Sequence, residues 1–105
     1  MSATSIPDSV ALPPGAYTQD TWQAAEPQPY RIILGGDRTI AGHRAVVSPS
    51  AVQWADGSVD DGRTEAPHVY AFNLEESNPL TTDQARELAA ALLAAADEVD
   101  GWVAR

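Results

Sequence analysis

The 105-residue chain contains no cysteine and no lysine, so all six of its cationic side chains are arginines. Without cysteine there is no disulfide framework, thiolate zinc site, redox CxxC pair or cysteine nucleophile. Long hydrophobic runs are also missing, since nothing approaches the roughly 18–20 consecutive apolar residues that cross a bilayer. The opening stretch Met1–Asp8 has neither the basic nor the apolar region of a secretory signal. Cations are scarce as well: fifteen carboxylates outweigh the arginines and leave a formal net charge of -9. Nucleic-acid binding needs clustered cations to displace the counterions on phosphate. Six scattered arginines in a negative field therefore argue against direct DNA or RNA partners and against an anionic membrane surface. The length allows one domain of the commonest size class, about 100–150 residues. A small, acidic, cytoplasmic domain without cofactor or metal is expected.

What is present divides into three stretches. Residues 1–29 carry Pro7, Pro13, Pro14, Pro27 and Pro29, which fix φ and remove backbone donors, so no regular element runs far. The apolar residues there are isolated, which predicts an extended arm, disordered to about Gly15. Trp22 stands out, because a large aromatic is costly to leave wet. It is either a lid on the core edge or an anchor for a partner.

Residues 30–105 read as a single domain, with short strands and tight turns first. Tyr30–Leu34 is rich in β-branched and aromatic residues and is broken by Gly35-Gly36-Asp37. Thr39-Ile40 and His43–Val47 form a second extended stretch, with Gly42 as a bulge or kink. Ser48-Pro49-Ser50 is expected to turn the chain. Val52 and Trp54 then share one face and Gln53 the other, and Asp56-Gly57 signals a hairpin. In the last strand Tyr70, Phe72 and Leu74 share a face, and Val69, Ala71 and Asn73 the opposite one. Spacings this short require antiparallel pairing.

The third stretch is a helix, expected over about Thr82 to Asp100. Thr81 and Gln84 match a capping box, and Asp83 suits the positive end of the helix dipole. Ala85, Leu88, Ala89, Leu92, Ala95, Ala96, Val99 and Val103 fall in one apolar stripe, with Leu93 on its border. Gly101 is read as a left-handed cap, with Trp102 folding back on the last turn. Two features are unusual. Asp97, Glu98 and Asp100 crowd the negative end of the dipole, offset in part by Arg105. Ala90 and Ala94, with Ala91 beside them, leave a smooth outward strip on which a second helix could pack. The fold class is thus α+β, a small antiparallel sheet of about four strands covered on one face by a C-terminal amphipathic helix.

No catalytic constellation emerges. Asp56–Gly62 fails as an EF-hand, because Asp61 occupies the place of the turn glycine and Pro67 that of the bidentate glutamate. His43 and His68 are the only imidazoles and read as rim residues at strand starts. Gly35-Gly36-Asp37 lacks the helix and lysine of a phosphate loop.

The run Leu80–Asp100 resembles the C-terminal helix of a group of small actinobacterial and actinophage proteins of unknown function, with the pattern L-T-x-x-Q-A-R-x-L-A-x-A-L-x-A-A-A-D-E-x-D. Ile40-Ala41-Gly42-His43 and Gln53-Trp54-Ala55-Asp56-Gly57 are similar to the mycobacterial members. The resemblance implies a β-then-α order and carries no activity. The expected function is a non-enzymatic, acidic interaction or modulator protein acting by surface contact. Its small core favours a homodimer. Trp22, Ala90, Ala94, Asp97, Glu98 and Asp100 are the candidate contacts. One alternative is an acidic inhibitor that mimics nucleic acid toward a basic protein. The other is a small-ligand binder or enzyme with a pocket between sheet and helix near His43, His68 and Tyr70.

Overall fold

The computed structural model describes residues 10–104. Its spine is one strand of twelve residues, β4 (His43–Trp54), running through the middle of a curled antiparallel sheet. Along one edge of β4 lie β2 (Tyr30–Gly35) and β3 (Arg38–Ile40), and along the other β5 (His68–Phe72). The register fixes this arrangement. Ser50 pairs with both Leu34 and His68, and Val47 with both Arg38 and Ala71. β2 and β3 are therefore two halves of one broken ribbon. A two-residue strand, β1 (Ala16–Tyr17), flanks β2.

Ser48-Pro49-Ser50, expected as a turn, lies inside β4. Proline has no N–H for a ladder and is excluded from central strands unless the partner is interrupted. Here it is interrupted. Residues 35–37 of the broken ribbon face only residues 48 and 49, which leaves a one-residue bulge opposite the proline ring. The Gly-Gly-Asp break and the proline are one device. A Cβ on Gly35 would come within 2.5 Å of Pro49 Cγ. Gly42 likewise proves to be a hairpin turn between Ile40 and His43, with φ +71°. At Asp56-Gly57 the chain does turn back, but the return is a single bridge from Val59 to Gln53.

The C-terminal helix α1 (Thr82–Val103) begins with the expected capping box, in which Gln84 N–H donates to Thr81 Oγ1 and Thr81 N–H to Gln84 Oε1. Gln84 Nε2 also donates to Ala41 O, and Ala41 N–H to Glu87 Oε1, so the helix start grips the 41–42 turn. The end differs from expectation, because the helix continues through Gly101 and Trp102 is buried on its inner face. Trp102 sits three residues after Val99, so helical continuation keeps it on the buried stripe. Burying an indole outweighs the roughly 1 kcal/mol that a helical glycine costs. The stripe is also rotated from the expected one. Ala85 and Ala89 are exposed, Ala91 faces inward, and Leu93 is 68% exposed. Arg105 lies outside the described residues.

Two clusters make up the core beneath the helix. Ile33, Ala51, Val59, Val99 and Trp102 form one, and Ile40, Ala45, Val47, Leu88 and Ala95 the other. Of the expected arm, residues 1–9 lie outside the described residues, while residues 10–29 are packed on the body. Leu12 joins the first cluster, and Trp102 Nε1 donates to Pro14 O. Trp22 lies 4.4 Å from the Arg31 guanidinium in a cation–π contact.

The bulge device predicts a specific coupling. Gly35→Ala should lower stability by about 1–3 kcal/mol through overpacking against the proline ring. In a Pro49→Ala background the same change should cost less. A double-mutant cycle of urea midpoints measures this, and equal costs in both backgrounds would refute the coupling.

Candidate binding cleft on the open face of the sheet

Because strand side chains alternate, only one face of the sheet meets the helix. On β4 that face carries Ala45, Val47, Ala51 and Gln53; Val46, Ser48, Ser50, Val52 and Trp54 point the other way. This second face has no helix over it. Instead the curl of the sheet makes it concave. Tyr30 and Trp54, directly paired across β2 and β4, meet edge to face at 6.0 Å. From β5, Tyr70 stacks on Phe72 at 5.8 Å, and His68 lies 6.2 Å from Tyr70. Tyr70 and Phe72 remain about half exposed, at 47% and 50%. Between the two aromatic walls the floor is low, formed by Ser50, Val52 and Ile32.

The resulting cleft holds about 500 Å³, within the size range of ligand pockets. One rim is Ala25-Glu26 from the segment before β2, and the other is Thr64-Glu65-Ala66 from the loop before β5. Among the described residues the only charged side chains on it are the two glutamates. Among the described residues neither takes part in an ion pair, and the Ser50 hydroxyl, in a residue only 7% exposed, has no hydrogen bond.

The second rim is shaped by a buried carboxylate. Asp60 is 5% exposed and accepts from the N–H groups of Gly62, Thr64 and Glu65 at 2.9, 3.3 and 3.2 Å. Burial alone would raise its pKa. The three backbone donors, helped by the Trp54 indole, outweigh that and hold it below the ordinary carboxylate value. Asp56 is held low mainly by the Ser58 hydroxyl, 2.6 Å away, and by the Ser58 N–H. Asp56 and Asp60, two of the three aspartates of the rejected calcium loop, are thus spent on their own turns.

The residues singled out from sequence do not converge. His68 and Tyr70 line the cleft, but on the face opposite the helix, and the space between sheet and helix is filled by the two core clusters. His43 is elsewhere. His68 faces Ser50, seven residues along β4 from His43, which is about 23 Å at strand spacing. Both His43 nitrogens are engaged, Nδ1 accepting from Ala45 N–H and Nε2–H donating to Asn78 O. Glu98 faces inward and pairs with Arg38 at 3.3 Å, with its carboxylate against Gly15 and Gly35. Asp97, Asp100 and Ala90 are exposed on the outer side of the helix and Ala94 is half-buried. Trp22 is occupied by Arg31. Sequence reasoning missed Tyr30, Trp54, Glu26 and Glu65 as a group. The alternation of Val52 and Trp54 was the available signal, and what it lacked was the side of the sheet.

If Asp60 is ionised in the fold, its contribution has a definite sign. A depressed folded pKa adds stability above the unfolded value near 4, and that stability is lost as pH falls through the lower folded value. Urea midpoints measured from pH 6 to pH 2 should therefore fall more steeply for the wild type than for Asp60→Asn. Parallel curves would remove this role.

No protein-family model, curated protein or solved structure matches the chain, so its function has to be read from the cleft and the surface around it.

Proposed function

We propose that the protein is a non-enzymatic interaction module that binds a protein partner by surface contact through the open face of its sheet. One observation carries this reading: a concave aromatic cleft on a sheet face that no element covers among the described residues. Tyr and Trp lining a concave surface with glutamates at its rim is the composition of binding hot spots. Exposed aromatics on a monomer otherwise carry a solubility cost without return. The carboxylate excess outside the cleft suits a basic partner and keeps the free protein soluble.

Ser50 and His68 are cross-strand neighbours, but no hydrogen bond joins hydroxyl to imidazole. The strand amides beside them belong to the ladder and are not aimed at a developing oxyanion.

Affinity capture from the native host with wild-type protein, compared with a Tyr70→Ser, Phe72→Ser double variant, tests the reading. Both side chains are half exposed, so the variant should stay folded by circular dichroism and lose the captured partner. Equal capture by the folded variant would overturn it.

A second reading follows from the free edge of β5. This strand pairs only with β4 among the described residues, and His68–Phe72 carries none of the charged gatekeepers that normally blunt an edge. It supports a homodimer formed by antiparallel pairing of two β5 strands. Sedimentation equilibrium at tens of micromolar should then show dimer, and Val69→Pro should give monomer; wild type that is wholly monomeric would refute it.

A further inference from the structure

The chemistry of the cleft specifies what kind of group its partner inserts. We infer that the cleft receives an arginine side chain from an extended segment of a basic protein, its guanidinium lying among Trp54, Tyr30 and Tyr70 and between Glu26 and Glu65. The inference rests on the reading of the open face as a partner surface and names the chemistry of that partner.

Three observations carry it. The first is charge complementarity: Glu26 and Glu65 stand on opposite rims, no arginine lines the cleft, and neither carboxylate is ion-paired among the described residues. The second is the aromatic lining, since a cation over a Trp or Tyr ring is attracted by the ring quadrupole, and Arg is the side chain that most often does so. The chain itself makes this kind of contact between Arg31 and Trp22. The third is the Ser50 hydroxyl, more than nine-tenths buried in the floor and without a hydrogen bond among the described residues. A hydroxyl oxygen there accepts from a guanidinium N–H.

Arginine fits better than lysine. A guanidinium is planar, stacks on rings and offers five donors in a fixed fork, which can serve two carboxylates and a hydroxyl together. An ammonium is a compact, strongly hydrated point charge that loses more on entering an aromatic slot. The cleft's 500 Å³ also accommodates apolar neighbours of the arginine on Ile32 and Val52.

The test uses the full chain and three fluorescein-labelled eight-residue peptides alternating leucine with arginine, lysine or glutamate, read by anisotropy. The arginine peptide should bind most tightly and the glutamate peptide not at all. In the protein's amide spectrum the Trp54 indole signal should move and those of Trp22 and Trp102 stay. Tyr70→Ala should weaken binding about two- to fivefold, the loss of one cation–π contact. Glu26→Gln and Glu65→Gln should each weaken it by about the same factor, the value of one partly exposed charge pair. Asp97→Asn, on the outer side of the helix, should leave it unchanged.

Equal binding of the arginine and lysine peptides, or equal weakening by Asp97→Asn and Glu65→Gln, would reduce the attraction to diffuse charge and overturn the inference. Absence of peptide binding would do the same, as would self-association of the free protein that Tyr70→Ala abolishes and Val69→Pro leaves intact, since a second copy would then occupy the cleft without edge pairing of β5. These failures are separable from failure of the proposed function. A native partner still lost on changing Tyr70 and Phe72 would leave the open face as the binding surface and remove only the arginine.

Discussion

The close approach of an alanine-rich helix to the small-residue side of a sheet governs the rest of this fold. Ala91 and Ala95 of the helix meet Ala45, Val47 and Val69 of the strands, with Leu88 and Leu92 filling the gaps between them. Helix axes seat closely where the intervening side chains are short; this half of the core holds no ring, while Trp102 fills the other half with Ile33 and Ala51. Tyr70 and Phe72 of β5 lie on the other face, as do Tyr30 of β2 and Trp54 of β4. The cleft is a consequence of how the core packs. A core that held Tyr70 and Phe72 would have left the opposite face with Val69 and Ala71 and no aromatic wall.

At the far end of the helix the same sheet face is closed by polar chemistry. Gln53 is fully buried, and its amide is satisfied on every side. Oε1 accepts from Arg31 Nε at 2.8 Å, and Nε2 donates to Ala11 O at 2.9 Å and Gly57 O at 3.2 Å. Arg31 in turn donates to Val10 O and lies under Trp22, and its burial lowers its pKa from the ordinary value. A buried amide left unpaired would cost about 1–3 kcal/mol per group, so this knot stabilises only as a complete set. It draws the proline-bearing segment onto the body and joins the strand, the 56–58 turn and the arm. The segment that looks least structured in sequence thus closes one end of the core.

Much of the fold is legible in the chain. The capping box at Thr81 and Gln84, the Leu88–Ala95–Val99 stripe and the alternation around Trp54 follow from local rules that depend only on neighbours in sequence. The misreadings share a physical origin, which is that a local signal was answered by a distant partner. Pro49 reads as a turn until the Gly35 bulge stands beside it. Gly101 reads as a helix stop until Trp102 finds Ile33 and Ala51. Gln53 is placed by alternation on the face opposite Trp54, and its burial there depends on Arg31, Ala11 and Gly57 converging on it. The rims of the cleft were equally hidden, because Glu26 and Glu65 lie 39 positions apart and meet only through the curl of the sheet.

The amino-acid order by itself determined the α+β class, the antiparallel pairing, the helix start and which side chains share a face, because these depend on periods of 2 and 3.6 residues and on turn chemistry. It did not determine which face turns inward. A strand with Val69 and Ala71 on one side and Tyr70 and Phe72 on the other satisfies the alternation either way up. The seating of Val69 against Leu88, Ala91, Leu92 and Ala95 of the helix settles the choice for β5, and with it the position of Tyr70 in the cleft.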